Sequence, residues 1–387
     1  MRSFFIVLAV SSLSSLTPNS SLTPNPSPIG EGSIYTFQQE LYTSQQKQEQ
    51  KQKLCTSQQE QEQKQEQKQE LCTSENQQQE LYTPLSNRRG VGGEAAGGEA
   101  VEAVQASFLF TGDILLDRGV RRFIEKKGVD ALFSQGIDSL FSTAHIVVGN
   151  LECPATKVKA PVFKRYIFRG EPEHLFTLRK HGFTHLNLCN NHSIDQGREG
   201  LMDTKHNIER AGMTPAGVGR NMAEAAQPVL LTKKPRNVWL FTSLRMALEN
   251  WALLNDRPCV SQEPMDSLIL RIRRLKKSDS KAVVIVSLHW GGEHTLRPVP
   301  LQRMEAHALI NAGADALICH HTHTLQTIEE YKGKKIFYSI GNFIFDQPKP
   351  LNSKACVVKL TVTENEVKAE PVPIIIRNCV PLIERSH

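Results

Sequence analysis

The chain has 387 residues, of which 39% are hydrophobic and 22% are charged. Its net charge is +6, and because both signs are spread along the chain, this excess indicates solubility rather than nucleic-acid binding. Eight cysteines occur without a CxxC pair or a short regular spacing, which excludes a zinc ribbon and a disulfide scaffold.

Residues 1–104 are predicted to form a disordered, low-complexity N-terminal extension. Residues 38–83 consist mainly of Gln, Glu and Lys, which bury too little apolar surface to offset the entropy lost on ordering. The Gly-rich stretch at 90–99 is typical of a linker. The apolar run FFIVLAV after Arg2 is similar to a short signal peptide. A functional signal would export the protein to the cell envelope, and otherwise the cytoplasm is the expected location.

Residues 105–387 are predicted to form one α/β domain, because strand and helix patterns alternate along most of this segment. Short apolar runs predict strands at 107–112, 144–148, 185–188, 238–241, 282–288, 316–318 and 335–339. Amphipathic patterns predict helices at 120–127, 172–181, 197–211 and 301–312. The basic run at 271–277 suits the solvated face of a further helix.

Polar side chains follow nearly every predicted strand. In open α/β sheets, ligands bind beyond the carboxyl ends of the strands, so these side chains are expected to meet at one edge. Taken alone, Asp113 is more typical of a turn residue or a helix cap than of a ligand. The candidates, in chain order, are Asp113, Glu152, Asn191, His192, Asp195, His289, His321 and His323.

The strongest single signal is the sequence His320-His321-Thr322-His323, since His321 and His323 alternate along an extended loop and can aim both rings to one side. Neutral imidazole is a common metal ligand. Together with the Asp, Glu and Asn side chains, these histidines suit two divalent ions such as Mn²⁺, Fe²⁺ or Zn²⁺. Paired metals polarise a phosphoryl or acyl oxygen and lower the pKa of a bridging water.

His192 is predicted to point toward substrate as a proton donor or oxyanion stabiliser. Asp195 lies three residues later and suits two roles equally well, one as the group that orients His192 and the other as a helix cap.

In order along the chain, the segments FTGDILLDR, GNLECPAT, LNLCNNHSIDQGREGL, VSLHWGGE and GADALICHHTHTLQ resemble the motifs of the CapA family of poly-γ-glutamate capsule biosynthesis. This resemblance implies a metallophosphatase-like, four-layered α/β/β/α sandwich. It also implies roles for the candidates. His192 would be the catalytic histidine, Glu152 would stand at the position of a bridging carboxylate, and the other metal ligands would be Asp113, Asn191, His289, His321 and His323.

The resemblance leaves several functions open. The first is a metal-dependent hydrolase or transferase acting on an anionic polymer or a phosphoester substrate in the synthesis of poly-γ-glutamate or another envelope polymer. The second is a non-catalytic capsule-assembly or polymer-binding module with a vestigial site, which would contact membrane partners in capsule synthesis. A third is a thiol enzyme using Cys153, Cys189 or Cys319. Basic residues near the site, Lys164, Arg165 and Arg169, could contact an anionic group, although such side chains are usually solvated.

Overall fold

The computed structural model describes residues 105–384, so the predicted N-terminal extension lies outside the described residues. The strands are β1 (Ala106–Ile114), β2 (Ile146–Leu151), β3 (His185–Asn187), β4 (Thr214–Ala216), β5 (Val218–Gly219), β6 (Val229–Thr232), β7 (Val238–Leu244), β8 (Cys259–Val260), β9 (Val283–His289), β10 (Ala316–Ile318), β11 (Ile328–Tyr331), β12 (Lys334–Phe337), β13 (Asn342–Ile344), β14 (Lys354–Val362), β15 (Val367–Arg377) and β16 (Val380–Ile383).

The α-helices of the same region are α1 (Arg118–Lys127), α2 (Gln135–Phe141), α3 (His174–Lys180), α4 (Gly197–Arg210), α5 (Met222–Ala225), α6 (Met265–Ser278), α7 (Pro300–Ala312) and α8 (Pro350–Ser353). None of the helices within residues 105–384 combines the length and the apolar character needed to cross a membrane.

Two sheets form the frame of the domain. The larger has the strand order β16-β15-β14-β1-β2-β3-β4, with β13 paired to β1, and its members β1 to β4 run parallel. The smaller has the order β11-β12-β10-β9-β7-β6, with a parallel centre from β12 to β7. The central strand β9 is buried along its whole length, as expected for a parallel strand covered on both faces.

Three hydrophobic clusters define the order of the layers. One joins the larger sheet to α1, α2, α3 and α4, and includes Val147 of β2 and Leu201 of α4. The second lies between the two sheets and contains Phe108 and Ile285. The third joins the smaller sheet to α6 and α7. The predicted metallophosphatase-like order of layers, α/β/β/α, is therefore confirmed.

The C-terminal strands β14, β15 and β16 were not predicted from the sequence. They form antiparallel hairpins at the side of the larger sheet and so depart from the alternation of strand and helix. Pro371 and Pro373 lie inside β15, and proline usually argues against a strand because it lacks an N–H. Both prolines precede Ile374, where the pairing of β15 with β16 begins. No hydrogen bond between β15 and β16 therefore requires an N–H from either proline.

A β-bulge in β1 sets the position of the candidate site. Phe110 pairs with Val148 and Asp113 pairs with Asn150, so β1 has one more residue than β2 between the two pairs. A Cβ at Gly112 would lie 2.1 Å from the carbonyl oxygen of Gly341, so only glycine fits this position. Bulges commonly re-aim a side chain next to an active site.

Candidate metal centre

The carboxyl ends of strands from both sheets meet at one place. Asp113 lies near the end of β1, and Glu152 follows β2 directly. The smaller sheet contributes His289, the last residue of β9, and the loop after β10. The structure thus brings together all six predicted ligands: Asp113, Glu152, Asn191, His289, His321 and His323.

The Asp113 carboxylate is fully buried and held by several donors. Asn150 donates to its Oδ1 at 2.8 Å, and the Nδ1 atoms of His320 and His323 lie 3.2 and 3.3 Å from its two oxygens. Burial alone would raise the pKa of Asp113, but the two histidines outweigh it and hold the pKa well below its usual range. Asp113 is therefore ionised at neutral pH.

The pKa of Glu152 shifts in the opposite direction. The Glu152 carboxylate is fully buried, and neither of its oxygens has a hydrogen-bond partner among the described residues. Burial and the nearby Asp113 charge raise the pKa of Glu152 well above its usual range. A buried ionised carboxylate needs a compensating charge, so Glu152 requires a cation in order to be ionised here.

His289 and His321 face each other in the centre, with Nε2 of the first 3.1 Å from Nδ1 of the second. The Asn191 amide oxygen lies 2.8 Å from the same Nε2 of His289. Burial and the neighbouring His321 lower the pKa of His289, and burial and His323 lower the pKa of His321 to about 4. Both rings are therefore neutral at physiological pH, which leaves a lone pair available for a metal.

The loop that carries the histidines is strained. His321 and His323 have φ values of 95° and 56°, in the left-handed region that residues other than glycine rarely adopt. Such backbone strain clusters at functional sites, where the surrounding structure holds it in place.

Two groups of ligand atoms fit a metal ion, and Glu152 belongs to both. Glu152, His289 and His321 form one group, while Asp113, Glu152 and His323 form the other, with all atoms of a group within 4.8 Å of one another. Glu152 Oε1 lies 3.8 Å from Nε2 of both His289 and His323. These distances are too long for hydrogen bonds and leave room for cations, so the donor set fits divalent metal ions.

His192 and Asp195 lie beside this centre. The ring Nδ1 of His192 is 2.8 Å from an Asp195 oxygen, and Phe168 packs 4.2 Å from the ring. Asp195 is fully buried and also accepts from the Phe168 backbone N–H at 2.7 Å. The Asp195 carboxylate is bonded to His192, Lys164 and the Phe168 backbone, and the N-cap of α4 is Gln196, so Asp195 orients His192 rather than capping the helix.

The expectation of a solvated Lys164 was wrong. Its side chain is only 6% exposed, and its ammonium group donates to Asp195 at 2.8 Å and to the Asn191 carbonyl at 2.9 Å. Arg169 pairs with Glu171 and donates to the Thr156 carbonyl, so it supports the local loop.

Arg118, the last residue of the motif FTGDILLDR, was not predicted to be a functional residue. Its guanidinium carbon lies over the rings of Phe168 and Phe345, at 4.9 and 5.3 Å. Phe345 in turn packs 4.7 Å from the ring of His323. Arg118 is therefore one aromatic ring away from the centre, and its charge opposes the rise in the pKa of Glu152.

The thiol alternative finds no support in the geometry. Cys153, Cys189 and Cys319 are completely buried, and burial raises the pKa of each thiol, to about 12 for Cys153 and Cys319. Reactive cysteines are accessible and have a lowered pKa, so these three are packing residues.

The fold and the site define a class of protein, a four-layered α/β/β/α sandwich with a buried carboxylate and histidine centre at the carboxyl ends of both sheets. Within that class, the chain belongs to the family described as Bacterial capsule synthesis protein PGA_cap, which it matches over residues 107–347.

Relatives with established names agree with this assignment. The chain is 32% identical over 277 residues to the PGA biosynthesis protein CapA of Bacillus subtilis, which covers 70% of this chain and 72% of that protein. It is 29% identical over 271 residues to the capsule biosynthesis protein CapA of Bacillus anthracis, covering 68% and 66%.

Two solved structures match this chain at lower sequence identity. The NAD nucleotidase NadN of Haemophilus influenzae is 10% identical with a TM-score of 0.44, over 71% of this chain and 50% of that one. A 5′-nucleotidase precursor from Thermus thermophilus is 14% identical with a TM-score of 0.38, over 69% and 54%.

Proposed function

We propose that this protein is a metal-dependent hydrolase with a two-metal, metallophosphoesterase-like site, acting in the synthesis of poly-γ-glutamate or another envelope polymer. The observation that carries the proposal is Glu152, whose buried oxygens have no hydrogen-bond partner within residues 105–384 and which belongs to both groups of ligand atoms. The names of the two Bacillus relatives refer to PGA and to capsule biosynthesis, which supports the polymer context.

There are six proposed ligands. Five are the members of the two groups, Asp113, Glu152, His289, His321 and His323, and the sixth is the amide oxygen of Asn191. Carboxylate oxygens and neutral imidazoles suit ions of intermediate hardness such as Mn²⁺, Fe²⁺ or Zn²⁺. When bound, paired ions of this kind polarise a phosphoryl oxygen and lower the pKa of a bound water.

His192 is the proposed proton donor to the leaving oxygen. Its Nδ1 faces Asp195, which leaves Nε2 for the substrate. When both nitrogens carry protons, the Asp195 carboxylate stabilises the positive ring, and Nε2 can release its proton to the leaving group. Burial lowers the pKa of His192, and the nearby Asp195 charge counteracts that effect.

The proposed substrate is an anionic polymer or a phosphoester intermediate of capsule synthesis, and the proposed partners are membrane components of that synthesis. The guanidinium of Arg118 supports an anionic substrate, because it lies beside the site, over Phe168, and a third of its side chain remains exposed.

Elemental analysis of the purified full-length chain tests the metal site. We expect about two equivalents of Mn, Fe or Zn, as in two-metal hydrolases. The double variant His321→Ala/His323→Ala should lose this metal. His206→Ala is the matched control because His206 is an exposed histidine on α4, and it should retain the metal.

Hydrolysis of bis(p-nitrophenyl) phosphate and of γ-glutamyl peptides should be measured on the same three samples. Activity in the wild type and the control, lost in the double variant, is the expected result. A protein without metal above background, even after reconstitution, would contradict the two-metal mechanism and favour the non-catalytic capsule-assembly role.

A further inference from the structure

A cavity of about 390 Å³ opens next to the metal centre. It is lined by Arg118, Arg122, Asp346, Gln347 and Pro348. A neighbouring cavity of about 420 Å³ shares four of these residues and has Phe345 in its wall. These volumes are in the range of small-ligand sites. The described roles of the metal ligands and of His192 use neither cavity.

The cavity is connected to the metal centre through Asn342. The Asn342 amide oxygen lies 3.0 Å from Nδ1 of His323, and its amide nitrogen donates to Gln347 at 3.1 Å. Phe345 provides a second connection because its ring packs against His323. A molecule in the cavity is therefore separated from the centre by a single layer of side chains.

Arg118 is held rigidly at the mouth of this cavity. It pairs with Asp346, lies over Phe168 and Phe345, and has a φ of 53°, which is rare for any residue other than glycine. A third of its side chain nevertheless remains exposed. An arginine that is fixed in place and still accessible is suited to binding an anion, because little side-chain entropy is lost on binding.

Arg122 supplies a second cation to the cavity. It lies one turn further along α1, is exposed, and makes no ion pair with any described residue. Asp346 neutralises one of the two guanidinium groups, so the cavity has an excess of one positive charge. Guanidinium groups recognise carboxylate and phosphate oxygens with paired hydrogen bonds.

We propose that this cavity is a subsite for a second anionic group of the substrate, a carboxylate or a phosphate, and that Arg118 and Arg122 bind it. The inference rests on the proposed function, because it takes the neighbouring centre as the place of reaction. A polymer with an anionic group on each unit would place one unit at the metal centre and the next group in the subsite.

Isothermal titration calorimetry on the full-length chain tests the subsite without requiring turnover. The probes are γ-glutamyl-glutamate, which carries carboxylates, and glycerol 3-phosphate, which carries a phosphate. Each is titrated into metal-loaded protein and into protein depleted of metal on a chelating resin. The variants are Arg122→Gln and the matched control Lys127→Gln, an exposed cation on the same helix outside the cavity.

At least one probe should bind to the metal-depleted protein. The substitution Arg122→Gln should weaken the affinity for that probe about tenfold, the usual effect of losing one charge-assisted hydrogen bond. Lys127→Gln should bind like the wild type. Binding of the dipeptide alone identifies the carboxylate as the ligand group, and binding of glycerol phosphate alone identifies the phosphate.

Three results would overturn the subsite. These are no binding of either probe, equal binding by Arg122→Gln and the wild type, and binding that disappears when the metal is removed. The last would place the anion on the metals. Failure of the hydrolase proposal can be distinguished from failure of the subsite proposal, because a protein without hydrolase activity would still bind the probe in its metal-depleted form.

Discussion

Lys164 and Asp195 form an ion pair of 2.8 Å in which the two side chains are 6% and 0% exposed. The same Asp195 carboxylate bonds to His192, so a cation from the loop after β2 supports the proposed proton donor from the loop after β3. Because Lys164 also bonds to the backbone carbonyl of Asn191, it links the proton donor to a proposed metal ligand.

Replacing Lys164 with Met should destabilise the protein by about 3 kcal/mol, because it leaves the buried Asp195 charge without its cation. Urea denaturation at neutral pH measures this change. Lys205→Met is the control, since Lys205 pairs with the half-exposed Glu209 and its loss should cost no more than about 1 kcal/mol. Equal losses for the two variants would contradict the larger cost that we expect for leaving the buried Asp195 charge unpaired.

The substitution Glu152→Gln distinguishes the contribution of Glu152 to the stability of the metal-free fold from its contribution to metal binding. Without a cation, burial and the Asp113 charge favour the protonated form of Glu152, so a neutral amide should leave the Tm of the metal-depleted protein within a few degrees of the wild type. Addition of Mn²⁺ should raise the Tm of the wild type and leave the variant unchanged, since only binding to the folded state stabilises it.

Thermal unfolding with and without Mn²⁺ measures both effects. The control is Glu209→Gln, a substitution of an exposed carboxylate, which should keep the full metal-dependent rise in Tm. A rise of the same size in Glu152→Gln would mean that Glu152 is not a ligand.

His185 should make the protein less stable in mild acid. Burial lowers the pKa of this ring to about 4 in the folded state, against about 6.5 in the unfolded chain. Between these two values only the unfolded chain takes up the proton, so the free energy of unfolding falls as the pH drops from about 6.5 to about 4.

The variant His185→Asn removes this contribution, and we expect its loss of stability over that pH range to be smaller by about 2–3 kcal/mol. Urea denaturation at a series of pH values gives the two curves. His206→Asn, at an exposed position, should follow the wild-type curve. Parallel curves for His185→Asn and the wild type would exclude His185 as a source of acid sensitivity.

Gly112→Ala should prevent correct folding or lower the Tm by more than ten degrees. The new methyl group would lie 2.1 Å from the Gly341 carbonyl oxygen, and the backbone of β13 would have to move. Gly136→Ala is the matched control, because a Cβ there meets nothing closer than 3.7 Å and alanine favours the helix α2. Thermal unfolding of both variants decides the matter, and similar Tm values would contradict the close packing of β1 against β13.

The sequence predicted which residues meet but not how they are held. Parallel strands of one sheet bring their carboxyl ends to one edge, so the gathering of Asp113 and Glu152 follows from the strand pattern alone. His289 ends a strand of the other sheet, and the strand pattern does not show that the two sheets bring their carboxyl ends to the same place. The burial of Lys164 could not be predicted in the same way, since lysine is nearly always exposed and its partner Asp195 lies 31 residues away.

Two further features depended on contacts that the local sequence does not contain. Arg118 is fixed by Asp346, which lies 228 residues further along the chain. The hairpins from β14 to β16 were missed because the prolines of β15 argue against a strand, and only the pairing register reveals that they lie where no N–H is needed.

The proposed metal centre takes its side chains from both sheets, Asp113 and Glu152 from one and the three histidines from the other. An ion held there would act as a cross-link through the middle layers of the sandwich, and unfolding would require its release. The lifetime of this protein in the cell should then depend on the supply of transition metal, with faster proteolysis under metal starvation.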